Sequence, residues 1–534
     1  MSVPPASRPR LAERLADPAA WLTLVEVVPW RGPLDDPGGG PVLACAAEVA
    51  ADARVSALSV TDNAGGHPML PPQVLAARFA GQGIPSVVHV ACRDRSRNAL
   101  QSLGWELRAA GLADVLAVSG DFPVEGYGGL SRPVFDLDSV ALLALYRELG
   151  GFSCGVAVNP YKRQERELVP QLLKLELKAR TGAAYAVTQV GYDARSLDEL
   201  GRWLRRRAAV APELAGLPVL ANVYILNRGV ARRFHAGAIP GCVVSDDLLA
   251  LVERQAAAPD RGRAFFLEFA AKQVAVARGL GCRGVYVSGH RDAAELSRVL
   301  DLAAVLGPDD WRSLAAEVSF PEPGAFRLFA TDPATGLASD ELDPAWYSAI
   351  RGRGDRRRLA LGYRRDRLVH RLVFDPAGPG FPLGTALYGA VERAGLGRPL
   401  HALEQAAKLA LYDCRDCGDC SLPDVAYLCP ESRCAKNQRN GPCGGSHDGR
   451  CEAAERDCIW ALAYDRLAAA GEATALLDRP PVVVDNALRR TSSWANTFLH
   501  RDHFAARALR GSGGATGEAR TEGPATAART TREG

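Results

Sequence analysis

Six polar side chains of different chemistry stand at or near the ends of short apolar runs. Glu26 lies within WLTLVEVV (Trp21 to Val28), Thr61 closes ALSVT, His89 sits late in PSVVHVAC (Pro85 to Cys92), and Asp121 follows Gly120 at the end of LADVLAVSGD. Gln189 stands near the exit of YAVTQV (Tyr185 to Val190), and Arg291 ends GVYVSGHR. A carboxylate within an apolar strand costs on the order of a few kcal/mol unless it is paired or neutral, so Glu26 reads as an acid that can be kept protonated. Asp121 adds a second carboxylate, Thr61, His89 and Gln189 supply hydrogen bonds, and Arg291 suits a carboxylate or phosphate. A second constellation is made of sulfur: eight of the 13 cysteines crowd into Cys414, Cys417, Cys420, Cys429, Cys434, Cys443, Cys451 and Cys458. The CxxCxxC spacing of the first three, with Pro430 after Cys429, suits iron-sulfur ligation. Short-spaced pairs also make tetrahedral zinc sites, and eight thiolates could fill two.

Elements must bring the first group together. The runs that carry it alternate with helical patterns at about Pro41 to Ala53, Pro71 to Ala80, Arg95 to Gly111 and Arg263 to Gly279, the last with Phe266, Ala270, Val274 and Ala277 on one face. Further strands are expected at Ser153 to Val158, ending at Asn159, and at Pro218 to Tyr224. Eight strand and helix units within about 290 residues predict an α/β fold, a closed (β/α)8 TIM barrel, whose strand C-termini share one mouth. An open doubly wound sheet is the alternative, weakened because the first βα turn has no GxGxxG.

At 534 residues, with 47% hydrophobic and 23% charged residues and a net charge of +3, the chain reads as a globular protein of two or more domains. The small charge gives no reason to expect nucleic acid as a partner, and no apolar run approaches a membrane span or a signal peptide, so a cytoplasmic protein is expected. The expected division is an arm over 1–20, the barrel over 21–307, a connecting region over 308–395, a small cysteine-rich metal-binding domain over 396–475, an extension over 476–508 and a disordered tail over 509–534. Leu396 to Leu411 reads as an amphipathic helix leading into the cysteines. Arg351 to Arg371 is strongly basic: a solvated face, or a docking surface for an acidic redox partner or nucleotide phosphates.

Six stretches in order, VEVVPW, SVTDNAGG, SVVHVAC, AVSGDFP, KARTGAAYAVTQ and YVSGHR, make the chain from about Trp21 to Gly307 resemble the methylenetetrahydrofolate reductases, which are flavin-bearing barrel enzymes. The stretch YLCPESRCAKNQRNGPCGGSHDGRCE is similar to the C-terminal domain attached to some bacterial members, and to the partner subunit of ferredoxin-linked versions. The resemblance implies reduction of 5,10-methylenetetrahydrofolate to 5-methyltetrahydrofolate by hydride from reduced FAD, serving methionine synthesis or one-carbon metabolism. It implies Glu26 as general acid, Asp121 beside the flavin ring, Thr61, His89, Gly120 and Lys178 as FAD contacts, and Gln189 and Arg291 on the folate. Ser119 stands where the short enzymes usually carry Arg, and Asn159 where they carry Tyr, so flavin contacts are expected to be rearranged.

The implied electron donor is NAD(P)H or a reduced ferredoxin-type protein, with Phe234 offered either for stacking on the nicotinamide or for the core. A homo-oligomer or a redox partner subunit stays open. Two other readings stand beside this one: a non-catalytic or electron-transfer subunit of a ferredoxin-linked complex, and a pterin-binding methyltransferase without flavin. The barrel and cysteine sites are expected to lie in separate domains.

Overall fold

The computed structural model of the chain describes residues 9–122, 132–344, 346 and 360–504. Eight parallel strands close into a barrel in chain order: β1 (Leu22–Val27), β2 (Ala57–Val60), β3 (Ser86–Ala91), β4 (Asp114–Val118), β5 (Ser153–Val158), β6 (Tyr185–Thr188), β7 (Val219–Tyr224) and β8 (Gly284–Ser288), which pairs back onto β1. The expected (β/α)8 barrel is therefore the fold, and the open sheet is set aside. Among the described residues no helix is long and apolar enough to cross a membrane.

Strand side chains alternate between faces, and the alternation is strict here. Val25, Val27, Leu58, Val60, Val88, Val90, Val285 and Val287 pack outward into the core shared with the helices. Leu22, Leu24, Ala57, Val87, Leu116, Tyr185, Val187, Leu220 and Tyr286 fill the barrel interior, joined from the arm by Leu11 of the helix Leu11–Ala16. On β5 the inward position next to Tyr185 is Gly155, where a Cβ would lie 2.2 Å from the Tyr185 ring, so that strand cedes its space to the tyrosine.

The helix Glu165–Thr181 is covered on both sides. Its apolar face packs on the barrel, and the helix Ile459–Ala470 of the cysteine-rich region packs across it, with Tyr464 Oη donating to Glu165 Oε1 at 2.8 Å. Glu167, Gln171, Lys174, Glu176 and Lys178 are consequently buried with its leucines. Lys174 Nζ donates to Gln438 Oε1 (3.0 Å) and to the carbonyls of Gly441 and Pro442 (3.2 and 3.1 Å). Buried Asp138 joins the two parts at another point. It caps the helix Ser139–Leu149 by accepting from Val140 and Ala141 (both 3.0 Å), and it also accepts from the amides of Arg439 (3.2 Å) and Asn440 (2.9 Å) and from the Asn440 side chain. The cysteine-rich region therefore docks on the barrel wall at β4 to β6, and the two parts share a buried polar interface.

Between these parts, β9 (Phe329–Thr331) and β10 (Ala338–Leu342) form a small antiparallel sheet fixed to the helix Ala194–Arg207, where Glu199 accepts from Leu328 N (3.0 Å) and Asp198 from Ala338 N (3.1 Å). The helix before the cysteines spans Gly397–Tyr412, but its burial is the reverse of the expected one. Glu404 and Lys408 are its buried residues, held by Ser493, while Leu403, Leu409 and Leu411 are exposed. In the basic segment, Arg365 pairs with Asp366, while Arg367 and Arg371 share Glu472 from outside the segment, so its described part is only partly neutralised. Residues 351–359 of that segment and the tail expected over 509–534 lie outside the described residues.

Because Asp138 serves a helix cap and a docking contact at once, Asp138→Ala should lower stability by about 3–5 kcal/mol, combining a lost cap with buried donors left unpaired. Chemical denaturation of the full chain checks this; a loss under about 1 kcal/mol would contradict the account.

Candidate active site

The inward parity of the barrel carries polar side chains to its C-terminal mouth. Following Leu22 and Leu24, Glu26 is the next inward residue of β1, and in the same way Ser59 and Thr61 follow Ala57, His89 follows Val87, Gln189 follows Val187 and Asn222 follows Leu220. They open onto a cavity of about 270 Å3 whose wall includes Glu26, Thr61, His89, Gly120, Asp121, Lys178, Gln189, Asn222 and Tyr286. Seven of the eight barrel residues singled out from the sequence thus meet. Arg291 does not line the cavity. It is exposed, with its guanidinium held by Glu295 (Nε to Oε1, 2.6 Å). Phe234 belongs to the core, edge-on to Tyr224 at 5.3 Å between ring centroids.

A hydrogen-bonded chain crosses the barrel floor. Tyr286 Oη donates to Glu26 Oε2 at 3.1 Å and lies 3.5 Å from His89 Nε2, which is 2.9 Å from Ser59 Oγ. Burial lifts the Glu26 carboxyl to about 7, only partly offset by the tyrosine hydroxyl, so near neutral pH it holds a proton that it can release. Burial acts oppositely on His89, lowering it to about 4 and leaving the imidazole neutral. An acid poised near neutrality beside neutral hydrogen-bonding partners suits proton delivery to a substrate nitrogen.

At the β4 exit the chain turns through Gly120 at φ +85°, where a Cβ would lie 3.0 Å from Arg93 Cβ. Glycine is needed for both reasons. The turn presents Asp121, whose Oδ2 accepts from Gly65 N at 3.2 Å. Lys178 Nζ donates to the Ala157 carbonyl at 2.6 Å; among the described residues no carboxylate pairs with it, and burial, reinforced by Lys174, lowers it to about 7. Thr61 Oγ1 and Gln171 Nε2, both in the cavity wall, are buried without a hydrogen-bond partner.

One side of the wall comes from the cysteine-rich region, as Lys436, Cys443, Gly444, Gly445 and Glu452. Nothing in the local sequence marks these as barrel residues, since they lie more than 300 positions from Asp121. Tyr286, Ser59 and Asn222 were also missed, although the alternating inward pattern of their strands would have found them.

All eight C-terminal cysteines are free thiols. They sort into two electrostatic neighbourhoods of four. Cys429 acts on Cys414, Cys417 and Cys420, while Cys434, Cys443, Cys451 and Cys458 act on one another. Burial raises the thiols of Cys414, Cys417, Cys443 and Cys458, and lifts Cys434 to about 11 and Cys420 to about 12. Among the described residues no three Cys, His, Asp or Glu side chains converge tightly enough to hold a metal ion as they stand. A larger cavity of about 760 Å3 beside Cys420 is walled mainly by aromatic and aliphatic side chains such as Phe374, Phe381, Trp494 and Phe504, and the polar strand ends of the barrel are not part of it.

Comparison with known proteins points to one family. The methylenetetrahydrofolate reductase family model matches residues 39–276, and a second model, methylene-tetrahydrofolate reductase C terminal, matches residues 394–484. The 5,10-methylenetetrahydrofolate reductases of Pectobacterium carotovorum and Salmonella typhimurium are 30% and 28% identical to the chain over 115 residues, which is 21% of this chain. The chain spans 37% of the length of these curated relatives. Among solved structures, an uncharacterized Clostridium thermocellum protein that binds two copies of 5-methyl-5,6,7,8-tetrahydrofolic acid aligns with a TM-score of 0.41 and 11% identity, covering 55% of this chain and 97% of that one. A Xanthomonas albilineans dihydropteroate synthase aligns with a TM-score of 0.33 and 14% identity, covering 54% and 93%. By its two matched domains, the chain belongs to the methylenetetrahydrofolate reductase family.

Proposed function

We propose that this protein reduces 5,10-methylenetetrahydrofolate to 5-methyltetrahydrofolate with FAD as its cofactor, in one-carbon metabolism that supplies methyl groups for methionine. The reading is carried by Glu26, a carboxyl held near 7 by burial at the head of a polar cavity in the barrel mouth.

The residues present fit FAD: Thr61 Oγ1 and Gln171 Nε2 are unpartnered in the cavity wall, and Lys178 is a buried amine without a carboxylate partner among the described residues. Thr61, His89, Gly120, Asp121 and Lys178 would hold the cofactor, which when bound and reduced supplies the hydride. Gln189 takes the folate from the cavity wall, and Arg291, exposed outside it, meets the carboxylate tail of the substrate.

The product keeps its methyl group on N5, so the bond from the methylene carbon to N10 must break and N10 must leave with a proton. Glu26 provides that proton from its carboxyl. Tyr286 orients the carboxyl and stabilises its anion once the proton has gone. The cation left at the N5–methylene unit is countered by Asp121, and a hydride at the carbon completes the methyl group. Solvent returns the proton to Glu26 for the next turnover.

Each group of four cysteines would hold one metal centre, iron-sulfur or zinc, drawn together on binding. Protein purified without oxygen should carry FAD absorbance and iron or zinc; neither metal above trace would overturn this part of the proposal.

Rapid mixing separates the two half-reactions, with NAD(P)H or a reduced ferredoxin-type protein as donor. Glu26→Gln should leave reduction by the donor near normal and slow the folate step about a hundredfold to ten-thousandfold, because glutamine cannot give up a proton. In the unaltered protein the folate step should slow as pH rises through about 7, where the acid form of Glu26 is lost, and Glu26→Gln should flatten that dependence. Equal loss in both half-reactions would contradict the acid's role.

A further inference from the structure

Two residues of the cysteine-rich region reach into the barrel mouth as an ion pair. Lys436 and Glu452 bond to each other, and both side chains are only 5% exposed. Such a pair is a poor device for stability, since desolvating two charges offsets most of their attraction and apolar replacements are often neutral. A second contact of the lysine suggests another purpose: its Nζ also donates to the Gly120 carbonyl at 2.7 Å.

Gly120 immediately precedes Asp121, and the remaining holds on this turn are longer. Arg93 reaches the Asp121 carbonyl at 3.4 Å, and Gly65 N reaches its carboxylate at 3.2 Å. One residue earlier, Ser119 Oγ donates to Gln438 Oε1 at 3.2 Å, and Gln438 is fixed in turn by Lys174 and by Trp460, whose Nε1 donates to its carbonyl at 3.1 Å. Ser119 and Gly120 are thus both held from the cysteine-rich region. The residues holding them are tied to the second cysteine group: Lys436 follows Cys434 by two positions, Glu452 directly follows Cys451, and Gln438 N bonds Cys434 Sγ at 3.4 Å.

We infer that Lys436 is a positioning residue of the barrel's reaction, its ammonium fixing the Gly120 carbonyl and so the direction of the Asp121 carboxylate, with Glu452 holding the ammonium in place. The inference rests on the function proposed above. It makes the reacting site a joint product of both domains: the barrel supplies the acid and the carboxylate, and the cysteine-rich region sets the angle of the carboxylate.

The test compares the full-length unaltered protein, Lys436→Met, and the double variant Lys436→Met with Glu452→Gln. The single variant leaves a buried carboxylate without its cation; the double variant removes both charges and keeps the fold testable. In both, kcat for methylenetetrahydrofolate reduction should fall roughly a hundredfold, as expected for a misdirected reacting group. Binding of 5-methyltetrahydrofolate, read by quenching of intrinsic fluorescence, should stay near that of the unaltered protein. Recovery of full kcat in the double variant would show that Lys436 only neutralises Glu452 and would overturn the inference, as would a loss confined to KM. Absence of turnover in the unaltered protein would overturn the proposed function and this inference with it, whereas turnover there with an equally active double variant would overturn this inference alone.

Discussion

The constraint on which the rest depends is the double burial of the helix Glu165–Thr181. A barrel helix ordinarily keeps one face in water, and this one has none to spare. Its buried lysines and Glu176 therefore take their partners inside the protein, while Gln171 Nε2 is left without one at the cavity wall. Lys174 gathers three oxygens from residues 438–442, Glu176 is paired with Arg180 and Arg207, and Lys178 is left with one backbone carbonyl beside the cavity. Removing the cysteine-rich region would expose this helix and dismantle one wall of the mouth.

The chemistry at the mouth follows from how little water reaches it. The same burial pushes two groups in opposite directions, raising Glu26 to about 7 and lowering His89 to about 4, so that near neutral pH His89 is uncharged and Glu26 keeps a substantial share of its proton. Asp121 differs, because its turn lies at the rim, where the barrel and the cysteine-rich region meet. In the proposed reaction, an acid kept protonated by depth and a carboxylate placed at the edge would divide the roles, one giving a proton and the other countering a cation.

Much of the barrel was legible in the sequence because each buried strand is a short, mainly apolar run stopped by a turn. The Ser153 to Val158 strand and the Arg263 to Gly279 helix fall where their patterns place them. The strand exits were legible too, since a polar residue after an apolar run is visible locally. Arg291 stays outside the cavity for an equally local reason: Glu295, one helical turn on, takes its guanidinium. Residues 397–412 misled because amphipathicity does not say which face is buried; there Glu404 and Lys408 turn inward onto Ser493. The union of the two domains was not legible, since Lys436, Gln438 and Glu452 sit among cysteines whose spacing suggests only a metal module, and no local pattern links them to a turn some 300 residues earlier.

The central claim is that the barrel mouth and the cysteine-rich region form one site, and hydrogen–deuterium exchange with and without 5-methyltetrahydrofolate tests it most directly. The account predicts that ligand slows exchange both at the strand ends around Glu26 and Gly120 and across residues 436–445. Slowed exchange at the strand ends with no change across 436–445 would contradict it.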